Sequence, residues 1–354
     1  MRVERSSPVG VTIKDIARLA GVSHSTVSRA LNGSSHISAE TRAKITAISE
    51  RLHFEFNAGA RSLSSKRSGI IGVIYYSGLD AFGSSLYTNQ LFLDLRHNLE
   101  RYSLDSILLQ PYNPSTGNSN IMRLIRQKKV DGFLIVDGGI SREEYEFAGR
   151  NGLPVVQLHL SPAYYPKESL DCFFADNVAG GDLACQHLID AGCRNILTIT
   201  SYYGRETNTE FTDRVLGYRH ALERNGLSFD ESLIFDAGLC SFEAGYSLVH
   251  TNGALFPGVD GIFAQADIIA VGCIAALKEL GIEVPRDVKV MGYDDCSICN
   301  LSQPAVSSVH QPREELARRA CERLHARLEG DGGPPMQDVE PPTLVVRGST
   351  ASEK

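Results

Sequence analysis

Between Thr12 and Leu52 the sequence allows little except three short helices, the first two separated by a turn too tight for anything else. In IKDIARLAG, Ile13, Ile16, Ala17 and Ala20 recur at helical spacing, and Gly21 supplies the left-handed stop. Thr12 is placed to cap this helix, with Asp15 three residues on completing a capping-box arrangement. Ser23 opens HSTVSRALN, whose inner face carries Val27 and Leu31 and which Asn32-Gly33 closes. Ser38 caps AETRAKITAISERL, with Ile45, Ile48 and Leu52 inward. Helix, glycine turn, helix is the spacing in which a second helix enters the DNA major groove.

If Val27 and Leu31 face in, then His24, Ser25, Ser28 and Arg29 face out. Arginine grips guanine O6 and N7 with two bonds, and histidine and serine donate to or accept from base edges. A solvated three-helix bundle would explain the same core. It would not explain why no acidic residue occurs between Gly21 and Ile37.

Charge separates along the chain in the same sense. The formal net charge of −7 divides into 11 Lys/Arg against 5 Asp/Glu over residues 1–67, a surplus of +6, and −13 for the remainder. A basic head on an acidic body suits a small module that meets phosphates while the body does something else. At 354 residues at least two domains are expected. No apolar run reaches membrane-spanning length and MRVERSSPVGVTIKD lacks a secretory core, so a cytoplasmic protein is expected. All eight cysteines lie in the body. Cys296-Ser-Ile-Cys299 has redox or zinc spacing but no second ligand pair, so no metal or cofactor is expected.

From Ser68 onward the pattern changes. GIIGVIYY, DSILLQ, GFLIVD, LPVVQLH, RNILTIT, SLIFDA, GIFAQ and KVMGYDD read as buried strands. Helical runs such as NQLFLDLRHNLERY, AGGDLACQHLIDAG, DRVLGYRHALERNG and IIAVGCIAALKELG alternate with them. That alternation specifies parallel sheets with helices on both faces, in numbers sufficient for two lobes. Ligands in such sheets bind beyond the carboxyl ends of the strands. There is no GxGxxG after a strand, no GxxxxGK[ST], no GxSxG and no HExxH, and no spacing assembles a catalytic site. An enzyme is not expected.

The stretch VTIKDIARLAGVSHSTVSRALNGSSHISAETRAKI closely resembles the signature of the LacI/GalR family of bacterial repressors. The resemblance implies that His24, Ser25 and Arg29 read bases. It places Thr12, Ser23, Thr26, Ser28, Asn32 and Arg42 at or behind contacts with the phosphate backbone. The basic segment LHFEFNAGARSLSSKRSG resembles the family's hinge helix, which folds on DNA and pushes a leucine into the minor groove. Leu63 matches that leucine, and Asn57 and Ala60 match neighbouring minor-groove positions. The usual Tyr-x-Pro-Asn reads Phe54-Glu55-Phe56-Asn57 here, so the proline that would fix φ is missing.

The resemblance continues through ADNVAGGDLACQHLIDAG, RVLGYRHAL, DVKVMGYDD and LVVRGST, and implies a periplasmic-binding-protein-like effector core. The expected organisation is an α/β protein: tail 1–10, helix-turn-helix head 11–56, hinge 57–67, and a two-lobed core 68–354. The N-lobe spans about 68–172 and 308–337, the C-lobe about 173–305 and 340–354. Chain crossings are expected near 172–175, 303–308 and 337–341.

By resemblance, Arg214 and Asp294 grip the effector. Asp176 either contacts it or fixes the crossover loop. His159 stands where sugar-binding relatives carry aspartate, Ala266 replaces the asparagine of an Ala-Asn-Asp run, and Cys240 falls where relatives place a stacking aromatic. Tyr87 supplies an aromatic wall from the other lobe. An imidazole at 159 touching the effector predicts affinity that varies between about pH 5.5 and 7.5.

The expected function is a homodimeric regulator, a repressor in the first instance, on pseudo-palindromic double-stranded operator DNA, controlled by a small molecule such as a sugar. The ending RGSTASEK carries no leucine-heptad tail, so a dimer is expected. The alternatives are an activator or dual regulator, or a small-molecule-binding protein or enzyme with a vestigial head.

Overall fold

The computed structural model describes residues 11–31, 36–52, 54, 67–75, 86–136, 140–159, 170–201, 209–253 and 258–351. The expected tail 1–10, Asn32, and the hinge positions Asn57, Ala60 and Leu63 lie outside them. The chain forms two compact units, Met1–Gly69 and Ile70–Lys354.

The first unit holds α1 (Ile13–Ala20), α2 (His24–Leu31) and α3 (Ala39–Arg51). Asp15 accepts from both the Thr12 amide (3.0 Å) and the Thr12 hydroxyl (2.7 Å), and Gly21 ends α1 at φ 70°. A side chain at that φ would be strained, so glycine is required for the turn. Ser38 caps α3 by accepting from the Thr41 amide. Ile16, Ala17, Ala20, Val27, Ala30, Ile45 and Ile48 make the core, with Leu31, Leu52 and Phe54 packed at its edge. Each fully buried isoleucine contributes about 1.5–3 kcal/mol.

The second unit contains two six-stranded sheets. The first runs in the order β11-β5-β4-β3-β1-β2, from β1 (Ile70–Tyr75), β2 (Asp105–Leu109), β3 (Gly132–Val136), β4 (Val155–Leu158), β5 (Asp171–Ala175) and β11 (Gln337–Glu340). All its pairings are parallel. Ile71, Val73, Leu134 and Val156 pack on one face against α4 (Leu86–Glu100) and α11 (Arg313–Leu328). Ile74, Phe133, Ile135 and Val155 pack on the other against α5 (Asn120–Arg126) and α6 (Arg142–Arg150).

The second sheet runs β12-β10-β9-β8-β6-β7, from β6 (Ile196–Thr200), β7 (Ile234–Asp236), β8 (Gly261–Ala264), β9 (Lys289–Asp294), β10 (Ser307–His310) and β12 (Thr343–Val345). Only the β10–β12 pair is antiparallel. Ile196, Phe263, Met291 and Tyr293 meet α7 (Asn177–Asp190) and α8 (Thr209–Arg224) on one face. Leu197, Ile199, Ile262 and Val290 meet α9 (Phe242–Thr251) and α10 (Asp267–Glu279) on the other.

The chain passes between the sheets three times. It leaves the first after Ala175, returns after His310, and leaves again after Glu340. The first two passages fall a few residues later than the expected 172–175 and 303–308, because β5 and β10 each complete their parallel pairing before the chain departs. The Asp176 amide donates to Glu340 O at 3.0 Å, so the first and third passages run side by side. At the opposite, amino end of β5, buried Asp171 accepts from Arg323 Nε and Arg327 Nε (2.8 Å each) and from the Met336 amide (2.7 Å).

Candidate functional site

In the head, α2 presents His24, Ser25 and Arg29 exposed, with Thr26 and Ser28 half-buried beside them. Val27 and Ala30 hold the opposite side of the helix in the core. The Ser23 hydroxyl accepts from the Thr26 amide at 3.1 Å and lies 2.8 Å from both the Ser25 and Thr26 hydroxyls. Three hydroxyls therefore gather at the amino end of α2, where unpaired amides and the helix dipole favour a phosphate oxygen. Thr12 is exposed at the head of α1, and Arg42 is half-buried on α3. The Thr12 bonds, and secondarily Arg18 at 3.0 Å, hold the Asp15 carboxyl below its usual range. The one acid on α1 is thereby committed to capping.

In the core, the sequence-predicted effector residues gather from both sheets. Tyr87 begins α4, His159 follows β4 and Asp176 follows β5, all on elements of the first sheet. Asp294 ends β9 in the second sheet, and Arg214 lies on α8 above it. His159, Asp176 and Asp294 thus stand at the carboxyl ends of parallel strands, where the fold predicts ligands.

Arg214 is buried and already bonded. Its Nε donates to Asn177 Oδ1 at 2.9 Å, its Nη1 donates to Gln265 O at 2.7 Å, and the guanidinium lies 3.7 Å from the Tyr293 ring centroid. Neither of these two bonds uses Nη2. Two glycines bring α7 and α8 close enough for this. A Cβ on Gly181 would meet Arg214 O at 2.1 Å, and one on Gly217 would meet Val178 O at 2.0 Å.

Asp294 accepts from Gln311 Nε2 at 2.7 Å, and its backbone sits at φ 105°. Asp267 lies behind it, accepting from the Cys296 amide (2.7 Å) and the Ser308 hydroxyl (2.6 Å). Burial raises both carboxyls above the ordinary range and the charge of Asp294 raises Asp267 further, while Arg214 offsets part of this for Asp294. Across the cleft, Tyr87 Oη lies 3.2 Å from His159 Nε2, with the rings edge-on at 5.2 Å. Burial, then Arg214 and Arg313, pushes His159 down to about 3. The imidazole is therefore neutral across pH 5.5–7.5, and the expected pH dependence of effector affinity from His159 is corrected accordingly. Asp176 caps α7 through the Ala179 amide at 2.9 Å. One of its oxygens thus fixes the crossover loop.

Asn177, Gln265, Asp267, Gln311 and Arg313 complete the cleft and were not singled out as site residues from sequence. Arg313 donates to Asp94 (2.6 Å) and Gln90 (2.7 Å) on α4, tying the second passage to the Tyr87 helix. The signal that could have found Gln311 and Arg313 is their place directly after a strand, in HQPR, where the chain changes sheets. Cys240 is half-buried near Asp294 and Arg214. Burial drives the Cys296 and Cys299 thiols far up, which suits packing rather than nucleophilic chemistry. Among the described residues no cluster of metal-ligating side chains occurs.

Residues 12–57 match the bacterial regulatory proteins of the lacI family, and residues 185–350 match a periplasmic binding protein-like domain. The ribose operon repressor of Escherichia coli (strain K12) is 31% identical over 350 residues, covering 96% of this chain and 99% of that protein. A solved complex of the transcriptional regulator CelR with cellobiose is 27% identical at a TM-score of 0.70, covering 96% and 99% of the two chains. The lac repressor dimer, solved bound to operator and the anti-inducer ONPF, shares the fold over 97% of this chain and 99% of its own, at 23% identity and a TM-score of 0.76.

Proposed function

Because this chain belongs to the lacI family of bacterial regulatory proteins and is a DNA-binding transcriptional regulator, we propose that it is a homodimeric repressor whose hold on operator DNA is set by a small sugar in the cleft between its two sheets. The observation that carries the reading is α2. It exposes His24, Ser25 and Arg29 on one side, buries the other, and lies in a stretch without an acidic residue. Arg29 reads a guanine, His24 and Ser25 read neighbouring base edges, and Ser23, Thr26, Ser28, Thr12, Asn32 and Arg42 meet or support the phosphates. Asn57, Ala60 and Leu63 enter the minor groove. One such helix reads one half-site, so two-fold protein symmetry on a pseudo-palindrome supplies the second.

In the core, Arg214 and Asp294 bind the effector from one side, with Tyr87 and His159 on the other and Asp176 at the crossover. Similarity to a ribose operon repressor and to a regulator solved with cellobiose supports a neutral sugar. We read the core as a binding device and not a catalytic one, since Arg214, Asp267 and Asp176 are engaged in holding the structure. The effector acts by binding one lobe arrangement better than the other. The protein works in the cytoplasm, beside its DNA. Among the described residues no helix is long and apolar enough to cross a membrane.

The test is selection of bound sequences from a random duplex pool, followed by sedimentation of the complex and transcription from the selected site with and without sugar. A palindromic site bound two chains to one duplex, with transcription falling on binding, supports the reading. Asymmetric sites, one chain per duplex, or rising transcription overturn its dimeric or repressor part respectively.

A further inference from the structure

Two polar atoms at the carboxyl edge of the second sheet are buried without a partner. Thr200 and Gln265 are both 0% exposed, and neither Thr200 Oγ1 nor Gln265 Oε1 has a hydrogen-bond partner. They are neighbours. β6 and β8 pair in parallel with Ile199 opposite Ala264, and the Gln265 amide donates to Ile199 O at 2.9 Å, so Thr200 and Gln265 lie just past that register.

Their side chains also share a face. Gln265 Nε2 donates to Thr198 Oγ1 at 3.1 Å, and Thr198 precedes Thr200 by two residues on β6. Thr198 in turn donates to Phe263 O at 3.1 Å, so its hydroxyl must accept from Gln265. This fixes the amide: nitrogen toward Thr198, oxygen away from it. The backbone carbonyl of the same glutamine receives Arg214 Nη1 at 2.7 Å. The unpaired pair is therefore adjacent to the guanidinium that the proposed function places on the effector.

A buried acceptor left unmade costs about 1–3 kcal/mol. Two of them on neighbouring strand ends, where ligands bind, are both satisfied by a group that donates to an amide oxygen and accepts from a hydroxyl. An alcohol does both. A carboxylate or phosphate oxygen donates nothing to Gln265 Oε1, so the group seated here is not itself an anion.

Resting on the effector reading above, we propose that Thr200 and Gln265 form the inner end of the effector site and bind one hydroxyl of an uncharged sugar. Gln265 thereby becomes a specificity-determining residue, requiring a hydroxyl and not a carboxylate or phosphate at that position of the effector. It lies beside Ala266, whose methyl carries no polar group to bind a sugar itself.

The experiment uses the full chain. Wild type, Gln265→Met and Thr200→Val are titrated calorimetrically with D-ribose, D-glucose and cellobiose, and with ribose 5-phosphate and gluconate. Thermal midpoints are recorded without sugar. The expected result is that at least one neutral sugar binds wild type, that Gln265→Met weakens that sugar about tenfold or more, and that Thr200→Val weakens it about threefold or more. Without sugar, Thr200→Val should melt no lower than wild type, because it removes an unpaired hydroxyl. Binding of the anions alone, or of neither set, overturns the proposal. So does unchanged sugar affinity in both variants. A lowered sugar-free midpoint for Thr200→Val with unchanged affinity identifies an internal water only, and overturns it too. Operator binding by wild type is scored separately: its failure counts against the regulatory reading and leaves the sugar result standing.

Discussion

Replacing Arg214 with alanine removes the side chain on which the C-terminal half of the cleft is assembled. Two charge-assisted bonds are lost, to Asn177 Oδ1 and Gln265 O, each contributing about 1.5–3 kcal/mol. The stacking of the guanidinium on Tyr293 adds about 2 kcal/mol when desolvated. Recovered hydration of a buried cation offsets several kcal/mol of this sum. Asn177 keeps one partner, since Tyr293 Oη still donates to its Oδ1 at 3.2 Å, but Gln265 O loses its arginine. The net expected loss is about 3–5 kcal/mol. Arg214→Lys should fall between, because an ammonium keeps the charge but not the flat fork.

The control is Arg224→Ala on the same helix. Arg224 pairs bidentately with Asp182 at 2.7 and 3.0 Å, but both side chains are solvated, and the loss should be about 1 kcal/mol or less. The chain has no tryptophan and 13 tyrosines, all of them beyond residue 69. Urea unfolding followed by tyrosine fluorescence therefore reports the core and not the head. Unfolding of Arg214→Ala within about 1 kcal/mol of wild type, or indistinguishable from Arg224→Ala, would refute the buried-anchor reasoning.

Three further outcomes are expected. Arg29→Ala should cost roughly 1–3 kcal/mol of specific affinity, concentrated at one base position per half-site, whereas Lys44→Ala should weaken all sequences alike or none. A uniform loss for Arg29→Ala across an operator-variant series rejects the base contact. Leu63→Ala should reduce operator bending and specific affinity while sparing nonspecific binding. Equal bending in a phasing assay counts against the wedge. His159, held down to about 3 in the folded chain, protonates near 6.5 when unfolded. Its contribution is therefore complete above the unfolded value and is lost as pH falls toward the folded one. His159→Asn should flatten the decline of the urea midpoint between pH 7 and 5, and identical slopes for mutant and wild type exclude this source of acid lability.

The head was legible because its signals are local. Thr12, Asp15, Gly21, Ser38 and the spaced isoleucines each act within one or two turns, and each occupies the expected position. Eight strands of the core were legible as apolar runs. The other four, DCFFA, SSVH, QDVE and TLV, were not. Their polar residues are matched by partners far along the chain: Asp171 by Arg323 and Arg327, and Ser307 by Thr350. Polar side chains satisfied at such distances leave no periodic trace.

The cleft divides in the same way. Arg214 and Asp294 stand in runs that resemble a family pattern. Gln311 and Asp267 acquire meaning only when β9, β10 and α10 come together around Asp294. His159 illustrates the limit from another side. Its position after a strand was readable, but its loss of basicity depends on burial and on two arginines more than fifty residues away.

The three passages between the sheets also set an order of events at the ribosome. The first sheet has five of its six strands once residue 175 is made, yet one face is only partly covered, by α4, until α11 is made at 313–328, and β11 closes its edge only at 337–340. The second sheet waits for β12 at 343–345. During synthesis each lobe therefore carries an apolar face or an unpaired strand edge until residues 313–345 are made, the kind of exposure that invites association between nascent chains. A premature stop between residues 311 and 336 would leave both β5 and β10 as open edges. Such a truncation should produce an aggregating fragment with an intact helical head, and not a smaller working sensor.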